Sequence, residues 1–239
     1  ICDYNYVFDT RAKLKRFFAD KGKKDYVFLA DEAHNMVDRG REMFSASIYK
    51  EEFLELKKET KGISAAMTRA LGRCNKALLE EKRVEMEPSG VRVWPSIGLL
   101  PVHLMNLCGT MEEWMEQVRT GEAPPVAQDL NRRILEVYFH ARTFLDVCDC
   151  LDENYLIYSR LCGDGRFLVR LLCVDISGKL QECMDQVRCT VYFSATLLPV
   201  QYYKSLLSAR EDDYAVYAHS TFPSENRQIL IGGDVTSRY

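Results

Sequence analysis

No Cys-x-x-Cys pair occurs among the nine cysteines of this 239-residue chain, which are scattered from Cys2 to Cys189. An odd count at irregular spacing argues against a disulfide framework and suits reduced thiols in a cytoplasmic protein. The tightest group, Cys148, Cys150 and Cys162, has a Cys-x-Cys spacing that suits zinc poorly. No apolar run approaches the roughly 20 residues of a membrane span, so no membrane partner is expected. The opening "ICDYNYVFDT" has neither a charged leader nor an apolar core of a signal peptide. A net charge of −3 gives no long-range attraction for nucleic acid, so any such contact must come from a local basic face. No Gly-x-x-x-x-Gly-Lys-Ser/Thr run is present, so the chain carries no phosphate-cradling loop of its own. It starts without an initiator methionine and ends on "GGDVTSRY", and a fragment of a larger protein is expected.

What is present is an ordinary globular composition, 47 % hydrophobic and 28 % charged, enough to build a sizeable core. "ICDYNYVF" is β-prone. "TRAKLKRFFAD" reads as a helix with Leu14, Phe17 and Phe18 on one side, and "GKKD" as a turn. "YVFLA" (Tyr26–Ala30) is a continuous apolar run of the kind buried on both faces of a parallel sheet. From about residue 41 to 152 the pattern becomes helical, with helices expected in 50–62, 63–86, 99–121 and 126–152 and a loop over "EPSGVRVWPSIG". Strand signals then return. "NYLIYSRL" and "FLVRLLCVD" flank a Gly-Asp-Gly hairpin turn, and "SGKLQECMDQVR" is a helix. "CTVYFSAT" (Cys189–Thr196) is a second buried strand, "LLPVQYYKSLL" a helix with proline in its first turn, and "RQILIGG" a last strand. The order α/β, helical, α/β predicts one partial parallel sheet interrupted by a large, mainly helical insertion. The expected divisions are 1–40, 41–152 and 153–239.

The chemistry gathers at "YVFLADEAHN". Groups just past the carboxyl end of a parallel strand sit where such sheets hold ligands. Asp31 and Glu32 follow Ala30 directly. One carboxylate there can hold Mg²⁺ through its water shell, and the other can orient and deprotonate a water that attacks a γ-phosphate. The bland alternative is that Asp31 caps a helix starting near Ala33, with Glu32 in its first turn. Average residue usage gives "DEAH" by chance on the order of once in a thousand chains of this length.

"YVFLADEAHNMVD" resembles motif II of superfamily 2 helicases, and the XPD/DinG branch in particular. "VYFSATLLPVQYYKSLL" resembles that branch's motif III region, and "ICDYNYVFD" the segment before motif II. About 160 positions separate His34 from Ser194, where that branch carries its Arch domain. The resemblance implies a RecA-like motor domain of P-loop NTPase type and an ATP-dependent DNA helicase, translocating 5′ to 3′ and working in repair or replication. It implies Asp31 as the Mg²⁺ ligand and Glu32 as catalytic base. His34, Ser194, Ala195 and Thr196 would couple hydrolysis to domain movement. The remaining helicase domains, single-stranded DNA and duplex or fork DNA are the implied partners. A 4Fe-4S cluster is implied for the parent, with no ligands identified in this chain. Without the P-loop, the chain alone is expected neither to hydrolyse ATP nor to unwind DNA.

Candidate nucleic-acid contacts are Arg39 and Arg41 after motif II, then Arg69, Arg73 and Lys76 along one helix face. Arg132 and Arg133 lie near aromatics on the longest helix. A solvated charged face explains each of these individually as well. The rival readings are a non-catalytic helical interaction module, for which "DEAH" is only a cap, and a DEAH-type RNA helicase.

Overall fold

A computed structural model describes residues 1–9, 11–14, 18, 24–84, 90–219 and 221–231. The elements are α1 (Asn5–Phe8), β1 (Lys24–Ala30), α2 (Met36–Met43), β2 (Ala46–Tyr49), α3 (Lys50–Glu59), α4 (Ala65–Arg83), β3 (Val91–Val93), α5 (Leu100–Thr120), α6 (Gln128–Cys148), β4 (Tyr155–Leu161), β5 (Phe167–Cys173), α7 (Ser177–Met184), β6 (Val187–Tyr192) and α8 (Val200–Leu207). The fold is mixed α/β, built on two sheets. β1 and β6 form a parallel pair, and a four-stranded antiparallel sheet runs in the order β2-β5-β4-β3.

The parallel pair joins the two ends of the chain. Phe28 lies opposite Thr190, Leu29 opposite Val191 and Ala30 opposite Tyr192. Paired residues in a parallel register share a face. One face, with Phe28, Ala30 and Tyr192, is covered by Phe8, whose ring packs edge-on to Phe28 and stacked on Tyr192. The other face presents Val27, Leu29, Val191 and Phe193 to solvent, with Leu29 70 % exposed. α1 explains why the β-prone "ICDYNYVF" is not a strand. A helical turn sets Tyr4 and Phe8 on one side, and both join the cluster of Met36, Val37, Met43, Phe44, Ile176, Leu180 and Leu207 beneath the sheet.

The segment between the two strands has its own core. Phe53, Leu56, Met67, Leu71, Leu78, Leu104, Leu107, Ile134 and Phe144 are buried with Phe167, Val169 and Leu171 of β5. Both tryptophans belong to this core, and each satisfies its indole N–H. Trp94 donates to Ser159 Oγ at 2.9 Å and Trp114 to Asn131 Oδ1 at 3.1 Å. The helices carry the signals expected of them. Ser64 caps α4 by accepting the Met67 amide, Pro101 sits in the first turn of α5, and Gly121 ends it at φ 77°. Glu51 of α3 ties the β4–β5 hairpin to the helices, accepting from the Phe167 amide (2.8 Å) and Lys82 Nζ (3.3 Å), and Lys82 also reaches Gly165 O.

Several sequence expectations need correction here. The hairpin around Gly165 forms as expected, but β4 and β5 pair with β2 and β3 rather than with the parallel strands. The strand Val91–Val93 was hidden in a Pro- and Gly-rich stretch expected to be loop, and Ala46–Tyr49 lies in the span expected to be mainly helical. The insertion therefore contains sheet as well as its four helices α3 to α6. Pro199 stands just before α8, in extended conformation. Residues 227–231 form no strand, and 232–233 lie outside the described residues. The helix expected at "TRAKLKRFFAD" falls largely outside them too, and residues 11–14 are non-helical.

Ion pairs stitch α3 to α6. Arg133 bonds Glu55 and Glu59, and His140 Nδ1 lies 3.2 Å from Glu52 Oε2. The hydrogen bond to Glu52 raises the His140 pKa above its usual value. Partial burial opposes this, and the Glu52 and Glu136 charges reinforce it. A raised folded-state pKa contributes stability that is complete below the ordinary histidine value of about 6.5 and disappears as pH climbs through the raised value. The side chain is half exposed, so the contribution stays below about 1 kcal/mol. Denaturant midpoints measured from pH 6 to 8 should fall slightly with pH, and H140N should flatten that slope.

Candidate functional site at the rim of the parallel sheet

β1 and β6 end side by side, and the two chains stay bonded past the strands. Phe193 N donates to Ala30 O (3.0 Å), and Ala33 N donates to Phe193 O (3.1 Å). Between those two bonds the backbone turns sharply at Asp31–Glu32. Glu32 has φ 48° and ψ 40°, and among the described residues it is the only non-glycine in the left-handed region. That conformation costs a β-carbon-bearing residue about 1–2 kcal/mol, so it persists only where surrounding bonds enforce it. Asp31 Oδ1 accepts the Glu32 amide (2.7 Å), and the Tyr4 hydroxyl donates to the Asp31 carbonyl. Partial burial raises the Tyr4 pKa. Asp31, Glu32 and Asp3 raise it further, and Arg39 pulls it the other way.

The turn delivers Glu32 and His34 to Ser194, 160 positions away. His34 Nδ1 lies 2.9 Å from Ser194 Oγ and 3.3 Å from Glu32 Oε2. Ser194 Oγ donates to Glu32 Oε2 (3.3 Å) and receives the Thr196 amide (3.2 Å), with Thr196 Oγ1 also 3.2 Å away. Since the serine proton goes to the carboxylate, hydrogen-bond logic assigns the imidazole proton to Nδ1. Both His34 contacts use the same ring nitrogen. A nucleophilic serine needs the histidine to bridge it to the carboxylate through opposite nitrogens, so this group is not arranged for acyl transfer.

Asp31 and Glu32 are both exposed at the rim, and neither caps a helix. The helical turn that follows, Ala33–Asn35, has no side-chain cap, and Glu32 stands at its N-cap position. Among the described residues no group of three or more His, Cys, Asp or Glu side chains forms a metal site. Asp31 offers one exposed carboxylate beside that of Glu32, which fits an ion that keeps several waters and takes its other ligands from phosphate, as Mg²⁺ does. The cysteines do not fit an iron–sulfur cluster. All nine are free, and Cys74, Cys108, Cys173 and Cys183 are buried; burial pushes the Cys108 and Cys173 thiols up to about 11 and Cys74 and Cys148 up to about 12.

The basic candidates divide. Arg69, Arg73 and Lys76 are exposed along α4, continued by Arg83 about two turns further along the same face. Arg69 and Arg73 have no ion-pair partner among the described residues, and Lys76 has a 3.8 Å contact with Glu80. Arg39 is exposed beside the acidic turn. Arg41 is turned to Val174 O (3.4 Å) and Asp38, Arg132 to Asp129 (2.6 Å) and Glu136, and Arg133 is engaged by α3. Sequence reading did not single out Tyr4. Its signal was only a tyrosine in the segment preceding the acidic strand.

No protein-family model matches the chain, and no curated protein matches it. A solved structure, that of S. tokodaii Xpd4, is similar at 12 % identity and a TM-score of 0.45, over 81 % of this chain and 39 % of that one. The chain thus spans well under half the length of that protein. No helix among the described residues is long and apolar enough to cross a membrane.

Proposed function

We propose that this chain is part of an ATP-dependent DNA helicase of the XPD/DinG type. It would supply the motif II and motif III portion of a RecA-like motor domain, with the segment from β2 to β5 as its Arch-like insertion. The observation that carries the reading is the bridge made by Ser194 between Glu32 and His34, across two strands that are far apart in sequence and adjacent in space. In this reading Glu32 orients the attacking water and takes its proton. Ser194 and His34 hold the Glu32 carboxylate in place, and Thr196 links that hold to the chain leading out of the sheet. Asp31 would hold Mg²⁺, which neutralises charge on the phosphates when bound. Because His34 and Ser194 follow the ends of different strands, any shift of one relative to the other alters the bonding of Glu32. That is how hydrolysis and movement become coupled.

In the same reading, the α4 stripe of Arg69, Arg73 and Lys76 contacts phosphates of single-stranded DNA by charge. Duplex or fork DNA, the remaining helicase domains, 5′-to-3′ polarity and a parent iron–sulfur cluster belong to this proposal through the sequence resemblance alone. The test is phosphate release from MgATP by the intact protein with and without single-stranded DNA. DNA-stimulated release is expected, and its absence rejects the reading. The double variant R69E/R73E should weaken single-strand binding roughly tenfold or more and reduce the salt slope by about 1.4. An unchanged slope would remove α4 from the DNA path.

A further inference from the structure

We infer that Tyr4 is a positioning residue whose hydroxyl, by holding the Asp31 carbonyl, locks the left-handed turn that aims Glu32. This deepens the proposed function and rests on it for the link to turnover. Several bonds enclose the turn. Phe193 N to Ala30 O and Ala33 N to Phe193 O bracket it, Glu32 N to Asp31 Oδ1 and Asn35 N to Glu32 O close it locally, and Tyr4 Oη holds Asp31 O. The first four are made within the acidic turn and its neighbouring strand. Tyr4 is the tie to a separate element, the turn of helix at Asn5–Phe8.

That element is itself well held. Phe8, at 2 % exposure, is wedged between Phe28 and Tyr192, so the Tyr4 ring stands on a fixed base. A strained turn relaxes unless something outside it resists. With the Asp31 carbonyl released, the left-handed φ at Glu32 loses its support from outside the turn and its strand, and the carboxylate is held less firmly against Ser194. Tyr4 touches neither nucleotide nor water in this scheme and acts only through the Asp31–Glu32 backbone.

The variant Y4F keeps the ring and its packing and deletes the hydroxyl. Y6F, on the neighbouring half-exposed tyrosine, is the control. Two readouts are taken: hydrogen exchange of the Ala33 amide in this chain, and kcat and KM for MgATP in the intact protein. In Y4F, exchange at Ala33 should quicken about tenfold and kcat should fall about tenfold with KM within about twofold, the loss of one hydrogen bond expressed in each readout. Y6F should change neither. Unchanged exchange at Ala33 in Y4F overturns the inference, as does faster exchange with unaltered kcat, or a change confined to KM. If E32Q retains turnover, the hydrolytic reading of the site fails by itself, and Ala33 exchange then decides alone whether Tyr4 holds the turn.

Discussion

Replacing Glu32 by glutamine in the intact protein should leave MgATP affinity within about twofold and lower turnover about 10²- to 10⁴-fold, the usual contribution of a positioned general base. The substitution is a fair test because it changes little else. The glutamine carbonyl still accepts the Ser194 hydroxyl, and a glutamine suffers the same left-handed backbone cost as a glutamate. What disappears is the ability to take a proton from water. Equilibrium binding of a fluorescent ATP analogue and steady-state phosphate release separate the two effects. Retained turnover would leave Asp31–Glu32 without a catalytic role, and the three-way contact with His34 and Ser194 would then be only a clasp between strands.

The second large effect concerns stability. Phe144 is fully buried in α6, and F144A should cost the insertion about 3–5 kcal/mol. Trp94 and Trp114 both lie in that core, so tryptophan fluorescence in denaturant reports on it selectively. The Phe193 amide, bonded to Ala30 O in the parallel pair, reports on the other core by hydrogen exchange. The variant should shift the fluorescence midpoint and leave Phe193 protection in place, because the two clusters share little beyond Tyr155, which packs against both. Loss of both signals together would show one cooperative unit instead of two.

The parts of this molecule that were legible in the sequence are those where local pattern and tertiary role agree. The apolar runs Tyr26–Ala30 and Cys189–Thr196 were readable as parallel strands, and they are neighbours, but the burial expected on both faces holds on one only: Val27, Leu29 and Val191 stand in solvent. The helical spacing of Ala70, Leu71 and Leu78 was readable, and all three are buried in α4, whereas Ala66, read onto the same face, is exposed. The failures have a common cause. Asn5–Phe8 is β-prone, but burying Phe8 against Phe28 calls for a helical turn. Val91–Val93 and Ala46–Tyr49 are too short to announce themselves, and their strand character comes from pairing with β4 and β5. At the site, residue identities pointed to Asp31, Glu32, His34 and Ser194. The left-handed φ of Glu32 and the grip of Tyr4 on its neighbour are products of tertiary contact that no spacing encodes.

The bare side of the β1–β6 pair carries a consequence of its own. Val27, Leu29, Val191 and Phe193 make a greasy wall, and a two-stranded ribbon with such a wall is marginal by itself in water. A further parallel strand beside this pair, together with the helix that would follow it, would bury that wall. It also brings its own carboxyl end level with Asp31 or Ser194. A cover of that kind would bring new residues to the reactive rim, so burial of the oily flank and completion of the rim would be coupled.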